Sequence, residues 1–278
     1  MDECIKDQLA VIDLLAERKP QYRQVLGVYR HLLEIMNEVS IPPVELSFRN
    51  DLENTKRQAG LPLFQRDTLP IDLKASSDLL ASFMESLSRT EREDRQGLIA
   101  ALEKLRNEPE WGVGLFQTIL REDPEGLTGF AQEAGLDPNG LQFLAQMALG
   151  PAMEALRCSL AERIDTENWD YGYCPLCGSK PDMAYFGRSG KRFLHCELCG
   201  THWYFQRIGC PFCSNQEQEE LGYLEAEEEE GLRVYFCKKC RKYLKTVDTR
   251  VFEKPAPIAL ENLLTLHLDM LAEENGFR

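Results

Sequence analysis

The sequence predicts a multidomain α plus small β protein, with an all-α N-terminal domain, two tandem rubredoxin-like or zinc-ribbon modules and a C-terminal helix that packs back. Apolar residues recur at helical spacing up to about residue 168. Eight of the ten cysteines then form four Cys-x-x-Cys pairs. The charge changes at the same point, since residues 1–168 hold 18 basic and 29 acidic side chains and residues 169–254 hold 13 of each. We predict domains over 1–168, 169–207 and 208–254, followed by a linker and helix over 255–278.

The N-terminal domain is predicted to consist of helices joined by short turns. The first helix places Ile5, Leu9 and Ile12 on one face. Further helices are predicted over residues 21–39, 79–87, 91–107, 111–121, 124–134 and 138–163. Residues 60–73 contain two prolines and no helical period, so they predict an extended, packed segment.

Several residues mark where these helices should begin or break. Ser76, Ser77 and Asp78 are candidate N-caps for the helix over 79–87. Asp123 and Asp137 each precede a proline, which favours a capped helix start with proline at its first position. The Gly150-Pro151 pair predicts a bend or break in the last helix, because proline removes a backbone hydrogen bond.

The four Cys-x-x-Cys pairs predict two metal sites. Each pair can form a knuckle, a tight turn that presents two thiolates, and two knuckles supply the four sulfurs of a tetrahedral site. The stretch "GKRFLHCELC" aligns with "GLRVYFCKKC", which indicates a tandem repeat. The repeat predicts that Cys174, Cys177, Cys196 and Cys199 form one site and that Cys210, Cys213, Cys237 and Cys240 form the other. A cross-braced arrangement, with knuckles shared between the copies, is the alternative.

Each repeat also predicts a β-hairpin between its two knuckles. Residues 182–186 can pair with 192–196 around "GRSGK", and residues 221–226 can pair with 232–237 around "EEEEG". The residue after the second cysteine of a knuckle often requires a positive φ, which glycine accepts most easily. Gly178 and Gly200 occupy this place in the first copy, whereas Ser214 and Arg241 occupy it in the second. The second site is therefore predicted to be looser in geometry.

The predicted cofactors are two Cys4-bound metal ions, each iron or zinc. Four thiolates suit zinc or a single iron, whereas iron–sulfur clusters usually use other cysteine spacings. Zinc would be structural, and a rubredoxin-type iron could also carry an electron. His195 and His202 flank the second knuckle, but the cysteines complete both sites without them.

The basic run "CKKCRKYLK" suggests a partner. Four thiolates around a divalent metal leave a charge of about −2, which nearby cations must offset. Either the basic side chains only balance that charge, or they form an exposed patch that docks an acidic segment of a partner. The residues concerned are Lys238, Lys239, Arg241, Lys242 and Lys245. A zinc ribbon that binds nucleic acid is a further hypothesis, and the net charge of −14 weighs against it.

The remaining features exclude several classes of protein. The acidic, amphipathic N-terminus and the absence of an apolar run of about 18 residues predict a cytoplasmic protein with no membrane span. Thiols stay reduced in that compartment, which favours metal ligands over disulfides. The sequence contains no glycine-rich phosphate loop and no His-Glu-x-x-His motif, so we predict no catalytic residues and no enzyme. His31 is interpreted as a structural residue of a helix, Cys158 as a small apolar filler on a helix, and Cys4 as a tail residue.

The C-terminal stretch "EKPAPIALENLLTLHLDMLAEENGF" predicts a proline-rich linker followed by one helix. Its many leucines indicate burial, which we expect against the helical domain. His267 lies within this helix and is interpreted as structural.

The motifs "CPLCGSKP", "GKRFLHCELCGTHWYFQRIGCPFC" and "YFCKKCRKYLKTVD" resemble the signature of the formate dehydrogenase accessory protein FdhE family, over about residues 174–248. All four Cys-x-x-Cys pairs of the family pattern are present. The resemblance implies a helical domain followed by two rubredoxin-like metal modules. It also implies a cytoplasmic role in maturing respiratory formate dehydrogenase, by binding its molybdenum-containing catalytic subunit before export.

Three functions stay open on the sequence. The first choice is a chaperone-like maturation factor for formate dehydrogenase. A rubredoxin-type electron carrier and a zinc-ribbon nucleic-acid-binding protein are the alternatives. The sequence does not separate iron from zinc or a redox role from a structural one, and it leaves open the oligomeric state and the partner segment that is recognised.

Overall fold

The computed structural model describes residues 5–39, 55–226 and 229–278. The chain divides into two compact units. One consists of Met1–Arg23, Leu46–Gln65 and Leu160–Arg278, and the other of Gln24–Glu45 and Arg66–Ser159. Compactness does not test independent folding, so the domain boundaries predicted at residues 168, 207 and 254 stay predictions.

Helices occupy most of the chain before residue 160, as the periodicity predicts. In chain order they are α1 (Ile5–Arg18), α2 (Arg23–Glu38), α3 (Leu73–Ser88), α4 (Arg95–Asn107), α5 (Pro109–Leu120), α6 (Pro124–Ala134) and α7 (Pro138–Ser159). In the second unit, α3 packs against α4, α5 and α7. The apolar face of α3 is the centre of this core, because Leu80, Phe83 and Met84 are fully buried.

The helix starts agree with the predicted signals in two cases and differ in one. The Asp123 carboxylate accepts from the Gly126 N–H at 2.9 Å, and Asp137 accepts from the Gly140 N–H at 2.8 Å. The helix α3 is instead capped by Asp72, so the predicted caps Ser76, Ser77 and Asp78 are wrong. Helical apolar spacing already begins before those residues. The helix α7 continues through Pro151, so the proline does not break it.

The unit that contains the four Cys-x-x-Cys pairs is built on one six-stranded sheet. Its strands are β1 (Met183–Phe186), β2 (Arg192–His195), β3 (His202–Phe205), β4 (Leu221–Glu225), β5 (Leu232–Cys237) and β6 (Tyr243–Asp248). The strand order is β3-β2-β1-β6-β5-β4. The hairpins β1–β2 and β4–β5 confirm the two predicted hairpins. The parallel pairing of β1 with β6 joins the two cysteine modules into one sheet.

The C-terminal segment covers one face of this sheet. It forms two helices, α8 (Ile258–Leu263) and α9 (Leu266–Glu274), where the sequence predicted one. Ile258, Leu268 and Phe277 join the buried cluster of Met183, Tyr185, Leu232, Val234 and Val247. The segment also contacts the N-terminal helical region, because the Tyr22 hydroxyl lies 2.9 Å from the His267 Nδ1 atom and Lys19 donates to the Leu264 carbonyl at 3.4 Å. The prediction that it packs back is therefore confirmed, with the apolar face of the strands as a further partner. No helix in the described ranges is both long and apolar enough to cross a membrane.

Candidate metal centres

The four knuckles share one backbone arrangement. In the first, the Cys174 N–H donates to the Ser179 carbonyl at 2.8 Å, and the Gly178 N–H donates to the Cys174 carbonyl at 2.9 Å. The same two bonds recur in the knuckles that begin at Cys196, Cys210 and Cys237, at 2.8 to 3.0 Å. Each turn therefore aims its two cysteine side chains the same way, before any metal is considered.

The residue after the second cysteine adopts a left-handed backbone in every knuckle. The φ angle is 76° at Gly178, 64° at Gly200, 57° at Ser214 and 62° at Arg241. A left-handed backbone costs a non-glycine residue roughly 1–2 kcal/mol. The second module therefore keeps the geometry of the first at a cost in backbone strain.

The first sulfur cluster, formed by Cys174, Cys177, Cys196 and Cys199, lies in the protein interior. These cysteines are at most 3% exposed. The Sγ atoms of Cys174 and Cys199 are 3.4 Å apart, and those of Cys177 and Cys196 are 3.6 Å apart. The hydroxyls of Ser179 and Thr201 each lie 3.1 Å from a cysteine sulfur. Both hydroxyls can donate to a thiolate and so offset part of its charge.

The segment at residues 63–64, called the strap below, covers the first knuckle. The backbone N–H groups of Leu63 and Phe64 donate to the carbonyls of Pro175 and Leu176 at 2.8 and 2.9 Å. The aromatic rings of Trp169, Tyr171 and Tyr173 pack against one another at centroid distances of 4.9 to 5.6 Å nearby. The sequence predicts an extended segment here but not its partner, because hydrogen bonds across more than 100 residues leave no local pattern.

The second sulfur cluster, formed by Cys210, Cys213, Cys237 and Cys240, lies at the surface. Cys210 and Cys237 are buried, whereas Cys213 is exposed and Cys240 is half-buried. The Sγ atoms of Cys210 and Cys240 are 3.6 Å apart, and those of Cys213 and Cys237 are 3.7 Å apart. In each cluster the four sulfurs lie within 4.8 Å of one another. The two sites thus differ in burial and hardly in sulfur spacing.

Burial and hydrogen bonds shift the pKa values of the sulfurs in opposite directions. Burial raises the pKa of the Cys174, Cys196 and Cys210 thiols, because the thiolate loses hydration. Burial also disfavours the Cys237 thiolate, but hydrogen bonds from the Cys240 and Lys239 backbone and from Asn215 lower its pKa to about 7. Four thiolates in one place therefore need a cation to hold them deprotonated.

The sulfur geometry fits a single metal ion in each cluster. Zinc–sulfur bonds of about 2.3 Å in a tetrahedron place the sulfurs about 3.8 Å apart. The shortest distances, 3.4 to 3.7 Å, are close to this value and far from the roughly 2.05 Å of a disulfide. The structure brings together the two predicted sets and not the cross-braced alternative. Each cluster could hold a metal ion, and ligation by these eight cysteines stays a prediction.

The histidines beside the second knuckle do not belong to either cluster. The His195 Nδ1 atom lies 2.8 Å from the Asp182 carboxylate, which also accepts from Asn262 at 3.0 Å. The His202 ring lies 4.9 Å from the His195 ring and meets the Tyr185 ring edge-on. His195 and Asp182 therefore tie the first hairpin to α8.

The basic run around the last knuckle divides into exposed and structural residues. Lys238, Lys239 and Arg241 are exposed, although Arg241 donates to the Gly276 carbonyl at 2.7 Å. Lys242 is half-buried over the Phe212 ring. Lys245 is 4% exposed, and its ammonium lies 2.7 Å from the Asp269 carboxylate. The prediction of an exposed patch is therefore wrong for Lys245, which anchors α9 to the sheet.

The other singled-out residues have ordinary surroundings. The His31 Nε2 atom lies 2.7 Å from the Ser86 hydroxyl. His267 lies between the Tyr22 hydroxyl at 2.9 Å and Glu229 at 2.6 Å, which agrees with a structural role. Cys158 is exposed on α7, so its interpretation as an apolar filler is wrong. Cys4 lies outside the described residues.

The comparisons with known proteins all lead to one family. A model described as "FdhE, central domain" matches residues 173–207. A protein named FdhE homolog from Aquifex aeolicus is 29% identical over 275 residues, which cover 96% of this chain and 89% of that relative. A second FdhE homolog, from Pseudomonas aeruginosa, is 31% identical over 181 residues, covering 59% of this chain and 58% of the relative.

A solved structure extends the likeness to the whole fold. The crystal structure of the FdhE protein from Pseudomonas aeruginosa superposes with a TM-score of 0.70, covering 100% of this chain and 94% of that one. At 23% identity this match shows a shared fold. The family model and the two relatives show that the chain is similar to proteins of the FdhE family, and the solved structure shows that it shares their fold.

Proposed function

We propose that this chain is an accessory factor for the maturation of formate dehydrogenase, which binds the immature catalytic subunit in the cytoplasm before export. The family resemblance of the cysteine motifs supports this role. The observation that carries the proposal is the exposed edge of the second sulfur cluster, where Cys213 is exposed beside Lys238 and Lys239. A site needed only for folding would be expected in the interior, as the first cluster is.

Both sulfur clusters would hold metal ions in the working protein. Cys174, Cys177, Cys196 and Cys199 would bind one ion, and Cys210, Cys213, Cys237 and Cys240 the other. Bound zinc would fix the knuckles rigidly, and bound rubredoxin-type iron would in addition exchange one electron.

The docking face is proposed to lie on the last knuckle. Lys238 and Lys239 lie between Cys237 and Cys240, so their charge is held at a fixed place by the turn. The Lys238 ammonium donates to the Glu219 carbonyl at 2.9 Å and pairs with no carboxylate in the part of the chain that the structure describes. Its charge is therefore available to an acidic segment of a partner. This binding role needs no catalytic residue, and we propose that the chain is not an enzyme.

The test is binding of the catalytic subunit by variants of each cluster. We expect the double substitution Cys213→Ser with Cys240→Ser, which removes one ligand from each knuckle of the second cluster, to abolish co-purification of the subunit and formate dehydrogenase activity in cells. Cys158→Ser removes an exposed cysteine outside both clusters and should change neither. Unchanged binding and activity in the double variant would exclude this role for the second cluster.

A rubredoxin-type electron carrier is the second candidate, because an exposed ligand such as Cys213 would bring a bound iron close to solvent. Protein purified without oxygen should then contain iron and show a thiolate-to-iron band that a reductant bleaches reversibly. Two equivalents of zinc and a colourless protein would exclude this candidate and leave binding of the subunit as the role.

A further inference from the structure

A cavity of about 180 Å³ lies beside the second sulfur cluster. Arg192, Arg207, Lys242, Phe212 and Tyr235 contribute to its lining. Successive residues of a strand point to opposite faces of the sheet. Tyr185 and its partner Phe193 face the C-terminal helices, so the next pair, Phe186 and Arg192, faces the cavity side.

Arg192 has an environment that does not balance its charge. It is 2% exposed, and Nη1 donates to the Gly209 carbonyl at 3.1 Å. Its Nε atom is buried and has no hydrogen-bond partner among the described residues. The rings of Phe205 and Tyr235 lie 5.8 and 5.4 Å from the guanidinium carbon. A buried guanidinium usually has a carboxylate partner, because desolvation of an unpaired charge is costly.

The other cations of the cavity also have no carboxylate beside them. Arg207 stacks over the Phe186 ring at 5.0 Å, and Lys242 lies 5.8 Å from the Phe212 ring. No Asp or Glu among the described residues lines the cavity. By contrast, Arg233 and Arg250, which lie near the cavity but do not line it, pair with Glu225 and Asp248. The cations that line the cavity are therefore not neutralised by carboxylates, whereas those on the neighbouring surface are.

The sulfur cluster offsets this charge only in part. Cys210 and Cys237 also line the cavity, and an occupied Cys4 site carries about −2 in total. Three cations therefore leave an excess of positive charge even with the metal bound. This excess of positive charge suits an anionic ligand.

We propose that this cavity binds a carboxylate carried by an apolar group of about the size of one aromatic ring. A guanidinium presents a planar fork of donors that matches a carboxylate. A cavity of roughly 150 Å³ lined by apolar side chains accommodates benzene, so 180 Å³ leaves room for an aromatic ring with its carboxylate. The ligand is either a free small acid or an acidic side chain next to an aromatic one in a peptide.

The first experiment titrates the full-length, metal-loaded protein with benzoate and with its neutral analogue benzamide, by isothermal titration calorimetry. We expect benzoate to bind with a Kd of about 1 mM or tighter. Benzamide should bind at least about tenfold more weakly, because it lacks the charge that the arginines recognise. The blocked dipeptide N-acetyl-Phe-Glu-amide carries the same two groups, and tighter binding of the dipeptide than of benzoate would identify a peptide as the source.

Variants separate this site from simple balancing of the thiolates. Arg207→Gln and Arg192→Lys should each weaken benzoate binding about tenfold, while Arg250→Gln, the matched control outside the cavity, should leave it unchanged. If Arg192→Lys does not fold, Arg207→Gln still tests the site. Equal binding of benzoate and benzamide, no binding of benzoate or the dipeptide, or unchanged binding by Arg207→Gln would overturn the proposal. If the variants lose metal and the wild-type protein does not bind benzoate, the cations only balance the charge of the thiolates, and the proposal is overturned.

Discussion

The two sulfur clusters use the same knuckles and nearly the same sulfur spacing but have different surroundings. The first is buried beside the strap that bonds to Pro175 and Leu176, whereas the second exposes Cys213 and borders a charged cavity through Cys210 and Cys237. A local motif of four residues therefore fixes the geometry of each half-site, whereas distant segments decide whether a site is core or surface. We infer that the first cluster stabilises the fold and that the second takes part in recognition.

The largest expected loss of stability comes from removing a metal ligand, which can be done in either cluster separately. Cys177→Ser should destabilise the metal-loaded protein by at least about 4 kcal/mol, because it removes a buried metal ligand and leaves a polar group in the core. Cys213→Ser should cost roughly 1–3 kcal/mol, because water can replace the exposed ligand. Denaturant unfolding with metal analysis of each variant measures both values. Equal losses would mean that the second cluster is as structural as the first.

Gly172, which lies at the contact between the two modules, tests how closely their backbones pack. A Cβ atom at Gly172, just before the first knuckle, would clash with the carbonyl oxygen of Pro211 in the second module. Gly172→Ala should therefore destabilise the protein by about 1–3 kcal/mol through backbone displacement. Gly129→Ala is the control, because a Cβ at that helical position meets no atom within 4 Å. If the thermal unfolding curve of Gly172→Ala matched that of the wild type, the two backbones would not be closely packed at this contact.

A chelator should remove metal from the two clusters at different rates. A chelator reaches the second cluster at the exposed Cys213, whereas the first cluster needs local opening of its cover. We expect two phases of metal release that differ at least about tenfold in rate, which corresponds to roughly 1.4 kcal/mol of opening free energy. Release can be followed with a chromogenic chelator, and the fast phase should become faster in Cys213→Ser, because water replaces one of the four thiolate ligands. A single phase would contradict the difference in burial.

The sequence predicts the local parts of this site and not their surroundings. The four knuckles, the two hairpins and the caps at Asp123 and Asp137 follow from residues that are close in the chain. The parallel pairing of Met183 with Lys245 does not, because it joins residues about sixty positions apart. Lys245 illustrates the consequence. Within a basic run it looks like a surface residue, and only the pairing of β6 shows that it is buried against Asp269.

Arg192 is the clearest residue that the sequence could not assign. It aligns with Arg233 in the repeat, and Arg233 is half-exposed and paired with Glu225. The repeat therefore predicts an ordinary strand arginine at both places. The burial of Arg192 arises where its side chain contacts Gly209 and Tyr235 of the second module, which no spacing within the first module records.

The residues with a left-handed backbone give a smaller expected difference in stability between the two modules. Ser214 keeps a φ of 57° in the second module, where Gly178 and Gly200 serve the first. Ser214→Gly should stabilise the protein by about 0.5–1 kcal/mol, because the strain exceeds the entropy that glycine loses on folding. Gly178→Ala should destabilise it by a similar amount or more. Urea unfolding of both variants measures the difference, and a destabilised Ser214→Gly would show that the serine side chain matters more than its backbone.

The smallest expected effect lies at the seam where β6 joins the two modules. The side chain of Arg250 donates a hydrogen bond to the Asp248 carboxylate and attracts its negative charge, and both effects lower the pKa of Asp248. A carboxyl whose pKa is lower in the folded state contributes stability above its unfolded pKa of about 3.9 and loses it as the pH falls through the folded value. Asp248→Asn should therefore cost less than about 1 kcal/mol at neutral pH, since Arg250 is partly exposed and solvent screens the pair.

The pH dependence of that cost distinguishes the ion pair from the other bonds that Asp248 accepts. Metal loss in acid affects the wild type and Asp248→Asn alike, so the difference between their unfolding free energies isolates this carboxyl. The difference should shrink below about pH 4 as Asp248 becomes protonated in the wild type. A difference that stays constant over that range would mean that the Arg250 N–H, donating to Asp248 at 3.2 Å, holds the turn through shape alone. The seam between the modules would then depend on backbone geometry, as each knuckle does.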